Sequence, residues 1–511
     1  MAEKLYFGME LGSTRIKSVL IDGRGEVVAS GSHTWENHLE NGIWSYYEDE
    51  IWQGMRNSLA RLSENAGDKL ADVCAMGFSA MMHGYIALDK DGNLLAPFRT
   101  WRNTNTPAAA NELTELFGVN IPLRWSISQL YQSILDGEEH VKDISYLTTL
   151  SGYVHYKLTG ERVLGVCDAS GMFPIDSATC DYDQTMVDKF DALVADKGYP
   201  WKIRDILPRV LPAGKVAGYL TKQGAETLGF ELASDKKIPL CPPEGDGGTG
   251  MVATNSVRQR TGNVSAGTSV FAMVVLERAL SRLYREIDTV TTPDGSPVAM
   301  VQCNNCTSDL DAWAGLFSEF ASLLGKPVTT GELMTLLFRE SAGADCDGIL
   351  TYNYLAGDSK VGLERGRPLF LRQPDAKMTL GGFMRAQIYS CLASLAIGMD
   401  TLKKERVEID GMCGHGGFFK TDDIGQRAMS AAIGAPVTVY ENAGEGGAWG
   451  VALLAAYLGR EQSLADWLDG VFESATKSTA CATEQDMASF GGFLAEYKRA
   501  FGVEKLATEI Y

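Results

Sequence analysis

Residues 5–22, LYFGMELGSTRIKSVLID, set the frame for the rest of the chain. An apolar run (Leu5, Tyr6, Phe7, Met9, Leu11) carries the acidic Glu10, breaks at Gly12-Ser13-Thr14, and resumes as Val19, Leu20 and Ile21 before Asp22-Gly23. Two apolar runs about a tight polar turn predict a β-hairpin whose turn presents backbone N–H groups beside a carboxylate. Such a turn can hold a phosphate, although a glycine-rich hairpin without a ligand reads the same way locally. The pattern returns about half a chain later. Val264-Ser265-Ala266 leads into Gly267-Thr268-Ser269 and then Val270 to Val275, with Ser265 where the first copy has Glu10. A repeat at that separation predicts duplicated domains, each contributing one phosphate-binding hairpin.

A length of 511 residues exceeds one compact core and predicts two large domains. Hydrophobic residues at 45% and charged residues at 22% describe an ordinary soluble globular chain. No apolar run approaches the roughly 20 residues that cross a bilayer, so no membrane partner is expected. The start, MAEKLYFG, lacks the apolar stretch of a secretory signal, and ten scattered cysteines fit a reducing compartment. The expected location is the cytoplasm. A formal charge of −19, with no Lys/Arg cluster, excludes a nucleic-acid surface. It also opposes anionic ligands at long range. Nucleotide affinity would therefore have to come from local backbone donors, a few lysines and a bridging cation.

Four further stretches carry chemistry. A buried strand, Val73 to Phe78, runs into Met82-His83-Gly84, where a loop would present His83; taken alone, an isolated histidine there reads first as structural. The polar loop Phe98 to Thr106 sets Trp101 beside Arg102 and Asn103, an aromatic face with guanidinium and amide donors of the kind that holds sugars. Glu244-Gly245-Asp246-Gly247-Gly248 places Asp246 among glycines after a short strand, leaving room for a substrate and a metal. Gly414-His415-Gly416-Gly417 lies between a strand and a helix, where a flat ligand can lie against backbone. It lacks the GxGxxG spacing of a dinucleotide site. Cys303-Asn304-Asn305-Cys306 has the spacing of half a zinc site, but no second pair follows.

Together, in this order from Leu5 to about Tyr457, these motifs resemble the FGGY family of carbohydrate kinases, within the actin-like, ribonuclease-H-like ATPase superfamily. The resemblance implies an α/β fold of two ribonuclease-H-like domains, 1–254 and 255–511, with the active site in an interdomain cleft. It assigns Gly12, Ser13, Thr14 and Lys17 to phosphate, Glu10 and Asp246 to Mg2+, and Asp246 to general-base catalysis. Gly267, Thr268 and Ser269 would hold the outer phosphates of ATP. Gly416 and Gly417, with Glu445, Gly446 and Gly447 nearby, would form the adenosine pocket.

Met82-His83-Gly84 followed by the Trp101 loop looks most like the xylulokinase branch, so Met82, His83, Trp101, Arg102 and Asn103 are expected to meet a ketose. There are three departures. Glu10 stands where the family usually has aspartate, Trp101-Arg102-Asn103 replaces Trp-Asn-Asp, and Phe418-Phe419 follows the adenosine glycines. The expected reaction is ATP-dependent phosphorylation of a small ketose, D-xylulose or L-ribulose, at its terminal hydroxyl. Other sugar or polyol kinases of the family, or an actin- or chaperone-like ATPase switch, are the alternatives. A homodimer is left open.

Overall fold

The computed structural model describes residues 4–421, 423–441 and 446–510. In chain order the elements that matter here are β1 (Leu5–Leu11), β2 (Arg15–Ile21), β3 (Val27–Thr34), α1 (Glu48–Ala66) and β4 (Val73–Ala80). β5 (Gly218–Tyr219), β6 (Pro239–Leu240), β7 (Glu244–Gly245), α2 (Asp246–Ala253), β8 (Thr261–Ala266), β9 (Val270–Val275) and β10 (Pro297–Cys303) follow. The rest are α3 (Ser308–Leu323), α4 (Thr330–Ser341), α5 (Leu380–Lys404), β11 (Gly411–His415), α6 (Ile424–Ile433), β12 (Val437–Tyr440), α7 (Gly446–Ala456), β13 (Lys477–Ala480) and α8 (Glu484–Thr508).

The chain forms two compact units. One comprises Met1–Val257, Arg282–Val298 and Glu445–Ser474; the other comprises Arg258–Ser281, Ala299–Gly444 and Ala475–Tyr511. The single division expected after residue 254 thus falls near the first crossing of the chain, and two later segments return to the first unit.

In the first unit the main sheet runs β5-β6-β4-β1-β2-β3, with β7 also paired to β4. β1 is antiparallel to β2 and parallel to β4. The face bearing Phe7, Met9 and Leu11 is wholly buried, in one core with Met55, Leu59 and Leu62 of α1. The opposite face is shaped by glycines. A Cβ on Gly8 would lie 2.2 Å from the Ala448 carbonyl oxygen, and one on Gly77 would lie 2.5 Å from that of Val451. Helix α7 can therefore sit directly on β1 and β4, which is why a late segment belongs to the first unit. Its neighbour α2 is equally close, since a Cβ on Gly450 would meet the Thr249 oxygen at 2.1 Å.

In the second unit the strands run β10-β9-β8-β11-β12-β13. β8 and β9 form the second antiparallel hairpin and β11 lies parallel to β8. The almost entirely buried α5 is its central helix. Among the described residues no helix is long and apolar enough to cross a membrane, and no group of three His, Cys, Asp or Glu side chains is placed to hold a metal.

Candidate active site

Register brings the first unit's chemistry to one end of its sheet. Glu10 of β1 stands opposite Lys17 of β2 and Ser79 of β4, and Ser79 stands opposite Glu244 of β7. One residue on, Leu11, Ala80 and Gly245 are in line. The strands therefore end together, delivering the Gly12-Ser13-Thr14 turn, the Met82-His83 loop and Asp246.

The turn is braced from behind. Trp35 donates its indole N–H to the Gly12 carbonyl at 2.7 Å, and Tyr46 donates its hydroxyl to that of Ser13 at 2.6 Å. The Trp35 main-chain N–H holds the Thr14 carbonyl, and the Gly12 N–H closes on the Arg15 carbonyl. The N–H groups of Ser13 and Thr14 remain as donors that no described residue engages.

Asp246 begins α2. Its Oδ1 accepts from the N–H of Met82 at 3.1 Å and of Gly247 at 3.0 Å, while Oδ2 has no partner among the described residues. The side chain reaches solvent, yet the protein around it raises its carboxyl above the usual range. Glu10 is pushed up to about 7, by burial first and by the Asp246 charge second; the Ala448 and Gly447 amides and Lys17 pull the other way. Glu10 thus lies at the N-terminus of α7, where a Cβ on Gly447 would come within 2.3 Å of its Oε1. Gly446, at φ 69°, makes the entry to that helix. Both glycines belong to the first unit beside Glu10, whereas Gly416 and Gly417 belong to the second. Glu445 lies outside the described residues.

His83 holds φ 69° and Gly84 φ 91°, a left-handed pair that histidine adopts at a cost. Its Nδ1 lies 3.1 Å from the Gly171 carbonyl, which makes Nδ1 the protonated nitrogen and leaves Nε2 as an acceptor. Burial, then the Arg124 charge, lowers its pKa to about 3, so the ring is neutral.

The Trp101 loop is engaged mainly within the protein. The Trp101 indole N–H donates to Ser13 Oγ at 3.1 Å, tying the loop to the turn. Arg102 stacks on Trp44 at 3.8 Å and donates to Asn37 at 3.0 Å. Asn103 is buried and uses both ends of its amide on Trp44 and Thr100 backbone.

Two acids lie beneath Asp246 that sequence reasoning passed over. Asp168 is fully buried, accepting from Thr149 at 2.7 Å and Ser151 at 2.5 Å. Glu244 accepts the Asp168 N–H at 2.9 Å. Asp168 Oδ1 and Glu244 Oε1 have no partner among the described residues, and burial raises both carboxyls, Asp168 to about 7.

The second unit repeats the turn with other supports. Gly267 donates to the Ser269 carbonyl at 2.9 Å, while Cys306 and Thr307 donate their main-chain N–H groups to the carbonyls of Thr268 and Gly267. The N–H groups of Thr268 and Ser269 have no described partner. Cys306 also accepts from Asn353 at 2.8 Å and from the Cys391 thiol at 3.0 Å, so the CxxC segment is structural. Gly416, at φ 106° and ψ 177°, follows β11 and lies so close to β8 that a Cβ would meet the Ala266 oxygen at 2.4 Å. A Cβ on Gly417 would meet nothing within 4 Å. Phe418 and Phe419 are buried, with Phe419 beneath Gly414, and so do not fill that opening.

Residues 5–252 match the N-terminal domain model of the FGGY family of carbohydrate kinases, and residues 262–459 match its C-terminal domain model. The chain belongs to the FGGY family. Its two-domain α/β architecture is the actin-like fold of that family. The xylulose kinase of Escherichia coli K12 is 25% identical over 291 residues, 54% of this chain and 56% of that protein. The matched span is thus about half the length of the curated relatives. The crystal structure of xylulose kinase from Rhodospirillum rubrum superposes with a TM-score of 0.80 at 18% identity, covering 98% of this chain and 100% of that one. Gluconate kinase from Lactobacillus acidophilus gives the same score and identity, with 98% of each chain covered. These likenesses extend the fold over nearly the whole FGGY chain.

Proposed function

We propose that this FGGY protein transfers the γ-phosphoryl group of ATP to the terminal hydroxyl of a small ketose, most simply a pentulose such as D-xylulose or L-ribulose. The observation that carries this reading is the state of Asp246. Oδ1 is fixed by the Met82 and Gly247 amides and Oδ2 is open, so the carboxylate is held still with one oxygen ready to accept the hydroxyl proton. The same Met82 amide leads directly to His83, whose neutral Nε2 offers an acceptor for a sugar hydroxyl. Ser13 and Thr14 in one unit, and Thr268 and Ser269 in the other, offer main-chain donors to phosphate oxygens, stabilising charge that builds during transfer.

Mg2+ suits this site, because Glu10 and Asp246 are hard oxygen donors whose mutual repulsion a divalent cation relieves. Bound there, it would shield the phosphate charge. Lys17, opposite Glu10, adds a positive charge on the same face. Gly416 and Gly417 would receive the adenosine. Of the residues expected on the sugar side, Met82 and His83 keep that role. Trp101 acts on the turn through Ser13, and Arg102 and Asn103 act through Trp44. All ten cysteines are free thiols, in keeping with a cytoplasmic enzyme.

Asp246→Asn keeps the size of the side chain and removes the base. Sugar-dependent ADP release should fall by about 10² to 10⁴ while ATP still binds. Near-normal turnover in that variant would end the assignment. The panel should run through pentuloses, hexuloses, polyols and aldonates. ATP hydrolysis indifferent to all of them would favour a nucleotide switch instead.

A further inference from the structure

Beside His83 lies an ion pair that no sequence motif marks. The Arg124 carbonyl accepts the Gly84 N–H at 3.4 Å, and the next residue, Trp125, faces the His83 ring with centroids 6.4 Å apart and planes 20° from parallel. The Arg124 guanidinium is close enough that its charge helps to keep that imidazole neutral, while Asp288 pulls the other way. Arg124 Nη2 donates to Asp288 Oδ2 at 2.5 Å. Asp288 is buried and takes the Asn120 amide on Oδ1 at 2.9 Å. It lies in the segment Arg282–Val298, which returns to the first unit after the second hairpin. Three residues on, Thr291 donates its N–H to Ser170 Oγ at 3.0 Å, next to the Gly171 carbonyl that holds His83. The carboxylate occupies only part of the guanidinium. Nε and Nη1 of Arg124 have no partner among the described residues, and the side chain is 18% exposed.

We propose that Arg124 and Asp288 select the substrate by charge, admitting a neutral α-hydroxy ketone and refusing the α-hydroxy carboxylate of the same shape. The inference rests on the kinase reading and narrows its substrate class. Along the Met82-His83-Gly84 loop, Asp246 engages the first residue and Arg124 the last. A substrate whose terminal hydroxyl meets Asp246 therefore presents its far end to His83 and Arg124. Two opposite requirements meet there, because a guanidinium only donates and Nε2 of the neutral His83 only accepts. A carbonyl oxygen next to a hydroxyl satisfies both: the carbonyl accepts from Arg124 and the hydroxyl donates to His83. That is the carbonyl end of a 2-ketose. It is also the outline of an aldonate, whose carboxylate adjoins the C2 hydroxyl, so shape does not separate the two. Charge does. Asp288 already balances Arg124, so an arriving carboxylate gives up its water without gaining an uncompensated cation, and it meets the Asp288 charge as well. A carbonyl has neither cost.

Steady-state kinetics on the full chain test it, with the best ketose of the panel set against the aldonate of the same carbon number. The readout is the ratio of kcat/KM for ketose to that for aldonate, which does not depend on the fraction of enzyme that folds. The wild type should favour the ketose by about 100-fold. Asp288→Asn keeps the size of the side chain and leaves Arg124 without its counter-charge, so the ratio should fall by about tenfold or more, chiefly through a lower KM for the aldonate. Arg124→Gln should raise KM for the ketose about 10- to 100-fold with a smaller change in kcat, and should not admit the aldonate. Combining the two substitutions removes both charges and avoids a lone buried carboxylate. The combined variant should return to preferring the ketose, at a higher KM than the wild type. A ketose-active wild type that takes the aldonate equally well overturns the inference and leaves the kinase reading standing. So does an unchanged ratio in Asp288→Asn, or a combined variant that keeps the shift towards the aldonate. A wild type active on no ketose overturns the kinase reading and the inference together.

Discussion

In the first unit the carbonyls of the Gly12-Ser13-Thr14 turn are held largely by aromatic side chains, Trp35 and Tyr46, whereas in the second those of Gly267 and Thr268 are held by the amides of Cys306 and Thr307. Each hairpin lies beside a parallel strand, β4 or β11, that ends in a loop with positive φ, at His83 and Gly84 in one case and Gly416 in the other. The shared plan is a turn whose carbonyls are engaged so that its amides stay available. The differences follow the chemistry of each side. On the proposed reading, the first unit offers a histidine, an acid and aromatic bracing to a small polar substrate. On the same reading the second offers a bare glycine surface to a flat one, and it has Ser265 where the first has Glu10.

The contrast can be broken most severely at Gly416. Alanine there is asked to adopt a conformation open almost only to glycine and to place Cβ against a backbone oxygen, so ADP affinity by calorimetry should fall about 100-fold, roughly 2.8 kcal/mol. Sugar binding should be unchanged; an unchanged ADP affinity would remove the loop from the nucleotide site. Trp35→Phe deletes one buried donor to the first turn. With a partly buried carbonyl left unpaired at a cost of about 1–2 kcal/mol, kcat/KM for ATP should drop about tenfold, and Tyr46→Phe should do the same. Full activity in both would mean that the aromatic bracing is dispensable.

Glu10 sharpens the comparison through pH. Its carboxyl is held at about 7 in the folded protein, against an ordinary 4.5, so the native state keeps the proton longer. Its contribution to stability is complete below about 4.5 and is lost as pH rises through about 7. In the absence of divalent cations, Glu10→Gln should flatten that part of the profile of melting temperature against pH; an identical profile would place Glu10 outside the coupled pair. The smallest effect is expected at Thr307→Val. Its hydroxyl shares the Gly267 carbonyl with its own main-chain N–H, so losing one bond of two should change kcat/KM by no more than about threefold. A larger loss would show that the second turn also depends on side chains.

The hairpins, the strand ending at Met82 and the glycine-flanked Asp246 could be read in the sequence because each is set by neighbours along the chain. What could not be read depends on partners far apart. Composition marked Trp101, Arg102 and Asn103 as sugar-binding, but nothing local says that Asn103 will be used up on Trp44, 59 positions away. Asp168 and Glu244 meet across 76 positions, and Glu244 looks from its neighbours like one more turn acid.

The fit of α7 onto Gly8 and Gly77 also bears on how the protein is made. The strands it covers are complete by residue 80, yet the helix begins at Gly446. At 5–20 residues per second, about 20–70 s of synthesis separate the two. For that time the glycine-lined face of the first sheet has no lid, and its final closure is a long-range event that must follow nearly everything else. The ribosome therefore releases this chain with its oldest strands among the last to find their packing partner. Folding yield in cells should accordingly be governed by how well chaperones shelter the N-terminal sheet until the C-terminal helix arrives.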